Sequence, residues 1–403
     1  MPPASIGMDA GPRSSHEEIA MMNFDLSPEQ NMLRKTVRDF AEREIKPVRQ
    51  KLDEKEEFSV AITQKMGQLG LFGMTVDPKY GGQGLDYHSY VIAVEEIARV
   101  DGCQAATLAA ENTLGILPIF RWGTEAQKQK YLPSLCSGEK LWGFGLTEPD
   151  AGSDAGNSKT HAKLENGNWI INGSKIFITN AANPITAGVT VQAVTGRGPE
   201  DKKEISCIIV EQGTKGYTAR EMHNKLVWRS SNTAELFFED VKVPEENLLG
   251  KRGEGFKMML STLDHGRLGI AAMGVGGAQG AFEAALDYAK TRKTFGVPIC
   301  KHQAIAFKLA DMAMEIEASR NLLYKACWLK DQGRPFSQEA AMAKLYASEV
   351  MNRVVNHAVQ IFGGYGLMEE YPVAKFFRDQ KLLEIGEGSS EVQRIVISRH
   401  LGC

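Results

Sequence analysis

The 403-residue chain lacks most features that would place it outside the ordinary globular classes. Its six cysteines (Cys103, Cys136, Cys207, Cys300, Cys327, Cys403) are scattered and form no C-x-x-C pair. That argues against a disulfide frame or a zinc site and for free thiols in a reducing compartment. The eight histidines make no H-E-x-x-H, so no metal centre is expected. No apolar run approaches the roughly 18 residues needed to span a bilayer. A net charge of −3 offers no pull towards nucleic acid or an anionic membrane. There is no G-x-G-x-x-G after a strand and no G-x-x-x-x-G-K-[ST]. Gly274 to Gly280 comes near the first pattern but lies inside a helical stretch, which sets aside a Rossmann domain and a P-loop NTPase.

What remains is a chain with 43% apolar and 24% charged residues, long enough for two or three domains and a large core. Residues 1–22 are rich in Pro, Ala, Ser and Gly and read as a disordered tail. They carry neither the basic character of a transit peptide nor the apolar stretch of a secretory signal, so a cytoplasmic protein is expected. From 23 to 144 the pattern is helical. Ser27-Pro28-Glu29-Gln30 announces a capped helix whose Leu33, Val37, Phe40, Ala41 and Ile45 share one face. Further helices are expected near 59–70, 87–98 and 125–135. From 145 to 252 the period changes to that of strands, at 189–194, 205–211 and 234–243. Trp169 to Ile171 reads as a strand entering a turn at Asn172-Gly173, with Lys175 to Thr179 pairing back as a hairpin. From 253 to 403 helical periodicity returns at 254–292, 301–331, 337–363, 369–384 and 390–401, implying an antiparallel bundle. The expected fold is mostly α with a central β-sheet or barrel domain, without βαβ units.

Four segments could carry chemistry. Glu387 lies between Gly386 and Gly388, where missing Cβ atoms let a ligand approach, and between two helices. A carboxylate so pinned suits a general base, although an ordinary loop glutamate would look the same. Ser390 and Gln393 read as the capping box of the last helix. Gly145 to Asp154 is dense in hydroxyls and glycine-exposed amides, fit for a polar ring or a phosphate, or for a solvated loop. Arg292-Lys293-Thr294-Phe295-Gly296 pairs basic groups with an aromatic, as pyrophosphate and adenine would want or as a helix end would have anyway. The three glycines of Gly363-Gly364-Tyr365-Gly366 exceed what helix capping needs.

Together these segments resemble the acyl-CoA dehydrogenase family over essentially the whole chain from Phe24. Leu146-Thr147-Glu148 with Ala151-Gly152-Ser153-Asp154 is similar to the family's first signature. Gln360, Gly363, Gly364, Gly366 and Leu367, followed by Glu370, Lys375 and Asp379, are similar to its second. The resemblance implies a helical, β, helical subunit in a homotetramer, with FAD as cofactor and an electron-transferring flavoprotein as acceptor. It implies α-proton removal from an acyl-CoA by Glu387 and hydride transfer from the β-carbon to flavin N5. The Glu387 N–H and a flavin hydroxyl would hold the thioester carbonyl. Flavin contacts carry over to Leu146, Thr147, Ser153, Phe177, Ile178, Thr179, Ser389 and Glu391. At the cofactor's far end or from a neighbouring subunit come Arg292, Thr294, Phe295, Gln303, Gln360, Gly363 and Gly364. Phe177 stands where many relatives have a tryptophan. Ser153, Asp264 and Arg267 would meet the CoA thioester, the last two being equally readable as a structural ion pair. Gly386 and Gly388 would flank the substrate.

Some relatives carry the base at the position of Gly266, which favours Glu387 as the sole base here. Gly386 replaces a tyrosine common in straight-chain enzymes and would leave extra volume. Glu111 falls in a segment that lines the acyl pocket in relatives and is expected on a helix surface; turned inward, it would favour a branched, alicyclic or aromatic acyl group over a plain one. A short-chain substrate is also open. The alternative is a family member with shifted chemistry: an enoyl-CoA reductase, an acyl-CoA oxidase or a non-redox lyase.

Overall fold

A computed structural model describes residues 25–403; the expected tail, residues 1–22, lies outside the described residues. The first helix, α1 (Pro28–Phe40), begins as the sequence indicates. The Ser27 hydroxyl accepts the Gln30 N–H, and the Gln30 side chain accepts the Ser27 N–H. Val37, Phe40, Ala41 and Ile45 are buried, although the chain widens into a π-turn over Ala41–Ile45. Next come α2 (Arg49–Lys55), α3 (Val60–Gln68) and α4 (Tyr87–Ala98), followed by α5 (Gly102–Ala110), a π-helical stretch at Glu111–Ile116, α6 (Leu117–Trp122) and α7 (Glu125–Cys136). The stretch from 102 to 122 escaped the periodicity reading for a physical reason. Every residue of α5 from Cys103 onward is buried, and a helix enclosed on all sides shows no apolar stripe.

The middle of the chain is an eight-stranded sheet. Its strands are β1 (Leu141–Gly145), β2 (His161–Glu165), β3 (Asn168–Thr179), β4 (Thr186–Arg197), β5 (Lys203–Glu211), β6 (Tyr217–Glu221), β7 (Thr233–Pro244) and β8 (Leu248–Leu249). The order is β6-β7-β3-β2-β4-β5-β8, with β1 alongside β4 in parallel. The expected hairpin at Asn172-Gly173 is not there. Lys175 to Thr179 continue β3 and pair with β7 instead. The turn lies at Asn166-Gly167, where φ values of 49° and 73° join β2 to β3 in the way a two-residue turn with both residues left-handed requires. Gly173 marks a bulge: φ is 141°, and the β3–β7 register shifts there. A Cβ at Gly173 would lie 2.7 Å from the Thr160 Cα, so glycine is needed for close approach.

The last region holds α8 (Gly255–Thr291), α9 (Gln303–Asp331), α10 (Ser337–Phe362), α11 (Pro372–Leu383) and α12 (Ser390–His400), within a few residues of expectation. A short hairpin, β9 (Lys293–Thr294) with β10 (Val297–Pro298), joins α8 to α9. Central α8 packs against α4, α9, α10 and α11. Its glycine run serves that packing: Cβ atoms at Gly276 and Gly280 would fall 2.2 and 2.0 Å from the carbonyls of Glu95 and Arg99. One buried ionic cluster ties the regions together. Lys375 on α11 bonds Asp379, with Asp101 Oδ1 at 3.4 Å and Asp53 Oδ1 at 3.6 Å. The Trp228 N–H, from the β6–β7 loop, donates to Asp379 Oδ1 at 2.8 Å. The Cys103 thiol completes this group, so the acids nearest a metal-like arrangement already surround an ammonium. All six cysteines are free thiols. No described helix is long and apolar enough to cross a membrane.

Candidate active site

Glu387 sits in the turn between α11 and α12 with φ 53°, a left-handed conformation that a non-glycine residue adopts at a cost. The residue is half-exposed as a whole, yet its Oε2 is closed off from solvent and has no hydrogen-bond partner among the described residues. That oxygen lies over Gly266 of α8, where a Cβ would come within 1.8 Å of it. Glycine at 266 is therefore what makes room for the carboxylate. Burial pushes Glu387 up to about 7, with the charges of Lys344 and Arg267 pulling against it. An unpartnered buried carboxylate oxygen is costly in a resting fold and useful in a proton acceptor.

The turn is held by groups that the sequence reading assigned differently. Ser389, not Ser390, caps α12, its hydroxyl accepting the Val392 N–H. Gln393 makes no capping box. Its amide donates to the carbonyls of Glu387 (3.3 Å) and Gly388 (2.7 Å). Lys344 on α10 donates to the same Gly388 carbonyl at 2.7 Å. A signal for Lys344 was present: it extends the inward stripe of Met351, Val354, Val355, Ala358 and Phe362 by one heptad towards the N-terminus. Tyr90, buried on α4, feels the charge of Glu387. Asp264 and Arg267 form an ion pair at 2.5 Å, and Ser337 also donates to Asp264. At Gly386 the expected extra volume is narrow, because a Cβ would meet Leu382 Cδ2 at 3.0 Å.

The first signature leaves β1 as a tight turn in which Glu148 and Ala151 exchange backbone hydrogen bonds. Glu148 is the anchor of this loop. Its carboxylate accepts from Lys175 Nζ, Ser158 Oγ and the N–H groups of Lys159 and Thr160. Burial would raise its pKa, but Lys175 and these donors prevail and hold it at about 2. Leu146 and Ile178 are buried, Thr147 and Thr179 half-buried and Ser153 exposed. Phe177 lies at a second β3–β7 register shift with φ 61°, which turns its ring outward to 61% exposure.

A second group collects at the other end of the helices. The Arg292 guanidinium stands 5.9 Å from the Tyr365 ring, beside exposed Gly363 and Gly364, where an added Cβ would meet nothing within 4 Å. Thr294 Oγ1 is 2.9 Å from His302 Nε2. Phe295, at the tip of the hairpin, is 97% exposed, and Gln303 and Gln360 are exposed too; Glu391, also exposed, lies apart from them in the first turn of α12. The bonds and ring contacts of this edge stay within it. Glu111 corrects the expectation of a helix surface. It is fully buried, accepts the Trp142 N–H at 2.9 Å, and has an Oε1 without partner. Burial pushes its pKa up to about 8, leaving it neutral at pH 7.

Residues 27–139, 143–241 and 253–402 match, in turn, the acyl-CoA dehydrogenase N-terminal, middle and C-terminal domains. The chain belongs to the acyl-CoA dehydrogenase family. It is 51% identical over 380 residues to a probable acyl-CoA dehydrogenase of Bacillus subtilis (strain 168), covering 94% of this chain and all of that one. A short-chain specific acyl-CoA dehydrogenase of Clostridium acetobutylicum is 48% identical over 94% of this chain and 99% of its own length. The solved butyryl-CoA dehydrogenase of Megasphaera elsdenii superposes with a TM-score of 0.91 at 45% identity, covering 95% of this chain and all of that chain. As an acyl-CoA dehydrogenase the protein uses FAD and an acyl-CoA thioester, and the reductase, oxidase and lyase alternatives are not favoured. The residues fit such a cofactor: Phe177 offers an outward aromatic face, and Gly363 and Gly364 leave open backbone beside a guanidinium.

Proposed function

We propose that Glu387 is the base of an α,β-dehydrogenation acting on short-chain acyl-CoA thioesters. The observation that carries this is the Glu387 Oε2, buried and unpartnered over Gly266. In water a carboxylate is too weak to take the α-proton of a thioester. Here burial makes Glu387 a stronger base than a solvated glutamate, since its pKa stands at about 7 and not at 4.5. The N–H of Glu387 donates to the thioester carbonyl and stabilises charge developing on that oxygen. The bound flavin supplies the acceptor for the β-hydride. Gln393 and Lys344 fix the turn, so the carboxylate is oriented before substrate arrives.

Leu146, Thr147, Ser153, Phe177, Ile178, Thr179, Ser389 and Glu391 contact the flavin half of the cofactor in this reading. Arg292, Thr294, Phe295, Gln303, Gln360, Gly363 and Gly364 contact its far end, within or across subunits. Ser153, Asp264, Arg267, Gly386 and Gly388 flank the CoA ester. The regions 23–144, 145–252 and 253–403 act as one unit around it. The names of the relatives support the short acyl chain. A homotetramer is part of this reading, with the exposed Phe295 contributing to the far end of the cofactor site. We place the enzyme in the cytoplasm, passing electrons to an electron-transferring flavoprotein.

The test is anaerobic bleaching of the purified yellow protein. Butyryl-CoA bleaches the wild type, while Glu387→Gln keeps its colour and its FAD but reacts at least about 10³-fold more slowly. Undiminished bleaching by Glu387→Gln would refute the base assignment. Faster bleaching by isovaleryl- or cyclohexanecarbonyl-CoA than by butyryl-CoA would overturn the chain-length assignment.

A further inference from the structure

Lys344 is a fully buried ammonium on α10, and among the described residues no carboxylate lies within ion-pair distance of it. Its one bonded partner is a neutral carbonyl, that of Gly388. Taking an unpaired ammonium out of water is expensive, so its presence calls for a compensating charge nearby. The other charged groups around it have partners. Arg267, from α8, is paired with Asp264. Glu384, at the end of α11, is held by Asn352 and Lys381. Glu391, on α12, is exposed. Tyr90, from α4, is neutral and faces Glu387. That leaves Glu387, whose free oxygen is equally short of a partner. Each is the leading charge acting on the other: Lys344 lowers the pKa of Glu387, and Glu387 supports an ammonium that burial brings down to about 8.

We propose that Lys344 is a positioning residue for the base: it tethers the turn through the Gly388 carbonyl and supplies the positive charge against which Glu387 ionises. This rests on Glu387 being the base. The two roles separate in the pH profile. Gln393 tethers the same Gly388 carbonyl, and that of Glu387, without charge, so it controls for the mechanical part.

The experiment compares pH profiles of kcat/KM for butyryl-CoA, on FAD-loaded enzyme, in wild type, Lys344→Gln, Lys344→Arg and Gln393→Leu. Lys344→Gln keeps a donor for the carbonyl but removes the charge; its acid limb moves up by about one pH unit, with about tenfold less activity below pH 7. Lys344→Arg, the variant safest for folding, keeps the limb within a few tenths of wild type. Gln393→Leu lowers the plateau and leaves the limb in place. An unmoved limb in Lys344→Gln overturns the proposal, and so does a limb that Lys344→Arg shifts as far. Bleaching that survives Glu387→Gln would instead sink the base assignment beneath it.

Discussion

Replacing Gly266 with alanine adds one methyl group at the most crowded point of the site. The new Cβ would stand 1.8 Å from Glu387 Oε2 and 2.7 Å from its carboxyl carbon, where ordinary contact begins near 3.4 Å. The α8 backbone has little freedom to retreat, because Cβ-sized approaches to α4 and α10 already fix it at Gly276, Gly280 and Gly274. The carboxylate must therefore move by about 1.6 Å, the difference between those two distances. A displacement of about 1 Å at a reacting group can cost about 10²-fold in rate, so Gly266→Ala should slow butyryl-CoA bleaching by two orders of magnitude or more. Stability should respond differently. Alanine favours a helix interior over glycine by about 1 kcal/mol, which offsets much of the local clash. The expected result is an enzyme that keeps its FAD and melts within a few degrees of wild type but is nearly inert in stopped-flow bleaching. Wild-type bleaching rates in a folded Gly266→Ala variant would show that the carboxylate does not need its place over Gly266.

Three further outcomes follow from buried charge. Lys375→Met strips the ammonium from among Asp53, Asp101 and Asp379 and should cost about 3–5 kcal/mol by urea unfolding; a midpoint unchanged from wild type would deny the cluster its role in joining the regions. Glu148→Gln leaves Lys175 buried without its counter-charge and loosens the first signature, so FAD should dissociate more readily, read as a rise in free-flavin fluorescence on dilution; retention equal to wild type would refute this. Glu111 stays protonated in the folded chain up to about pH 8 but ionises near 4.5 when unfolded. The native state thus holds a proton the unfolded state has lost, so the stability it contributes is full below about pH 4.5 and is lost as pH rises through 8, with a ceiling of about 5 kcal/mol. Melting temperature should fall less steeply between about pH 5 and 9 in Glu111→Gln than in wild type, and parallel curves would rule out Glu111 as the titrating group.

Much of the fold was legible where an element has one wet face and one dry face. The capped start of α1 and the helices α9 to α12 have such faces, and their bounds fall within a few residues of the periodicity reading. The reading failed where that contrast disappears. Helix α5 is buried all round, so nothing in its apolar residues marks a period. The two Asn-Gly pairs show a different limit. Both satisfy the local demands of a turn, and what separates them is whether the flanking strands can pair with each other. Residues 161–165 find partners in 168–172, whereas 175–179 find theirs in β7, some sixty residues on.

The site divides along the same line. Glu387 was legible because its flanking glycines are unusual in sequence, and Gly266 because a glycine cannot be a base. The reason Gly266 must be glycine was not legible, since the atom it makes room for belongs to another element. Lys344 lies between these cases. A lysine on an otherwise apolar helical stripe is visible as an anomaly, and a buried charge implies a partner. Which partner depends on a turn 44 residues away, brought onto α10 by the packing of α11 and α12. Sequence can therefore pose the question of an unpaired interior charge, and the tertiary arrangement narrows the answer: the ammonium is bonded to the Gly388 carbonyl, one residue from a carboxylate oxygen that also lacks a partner.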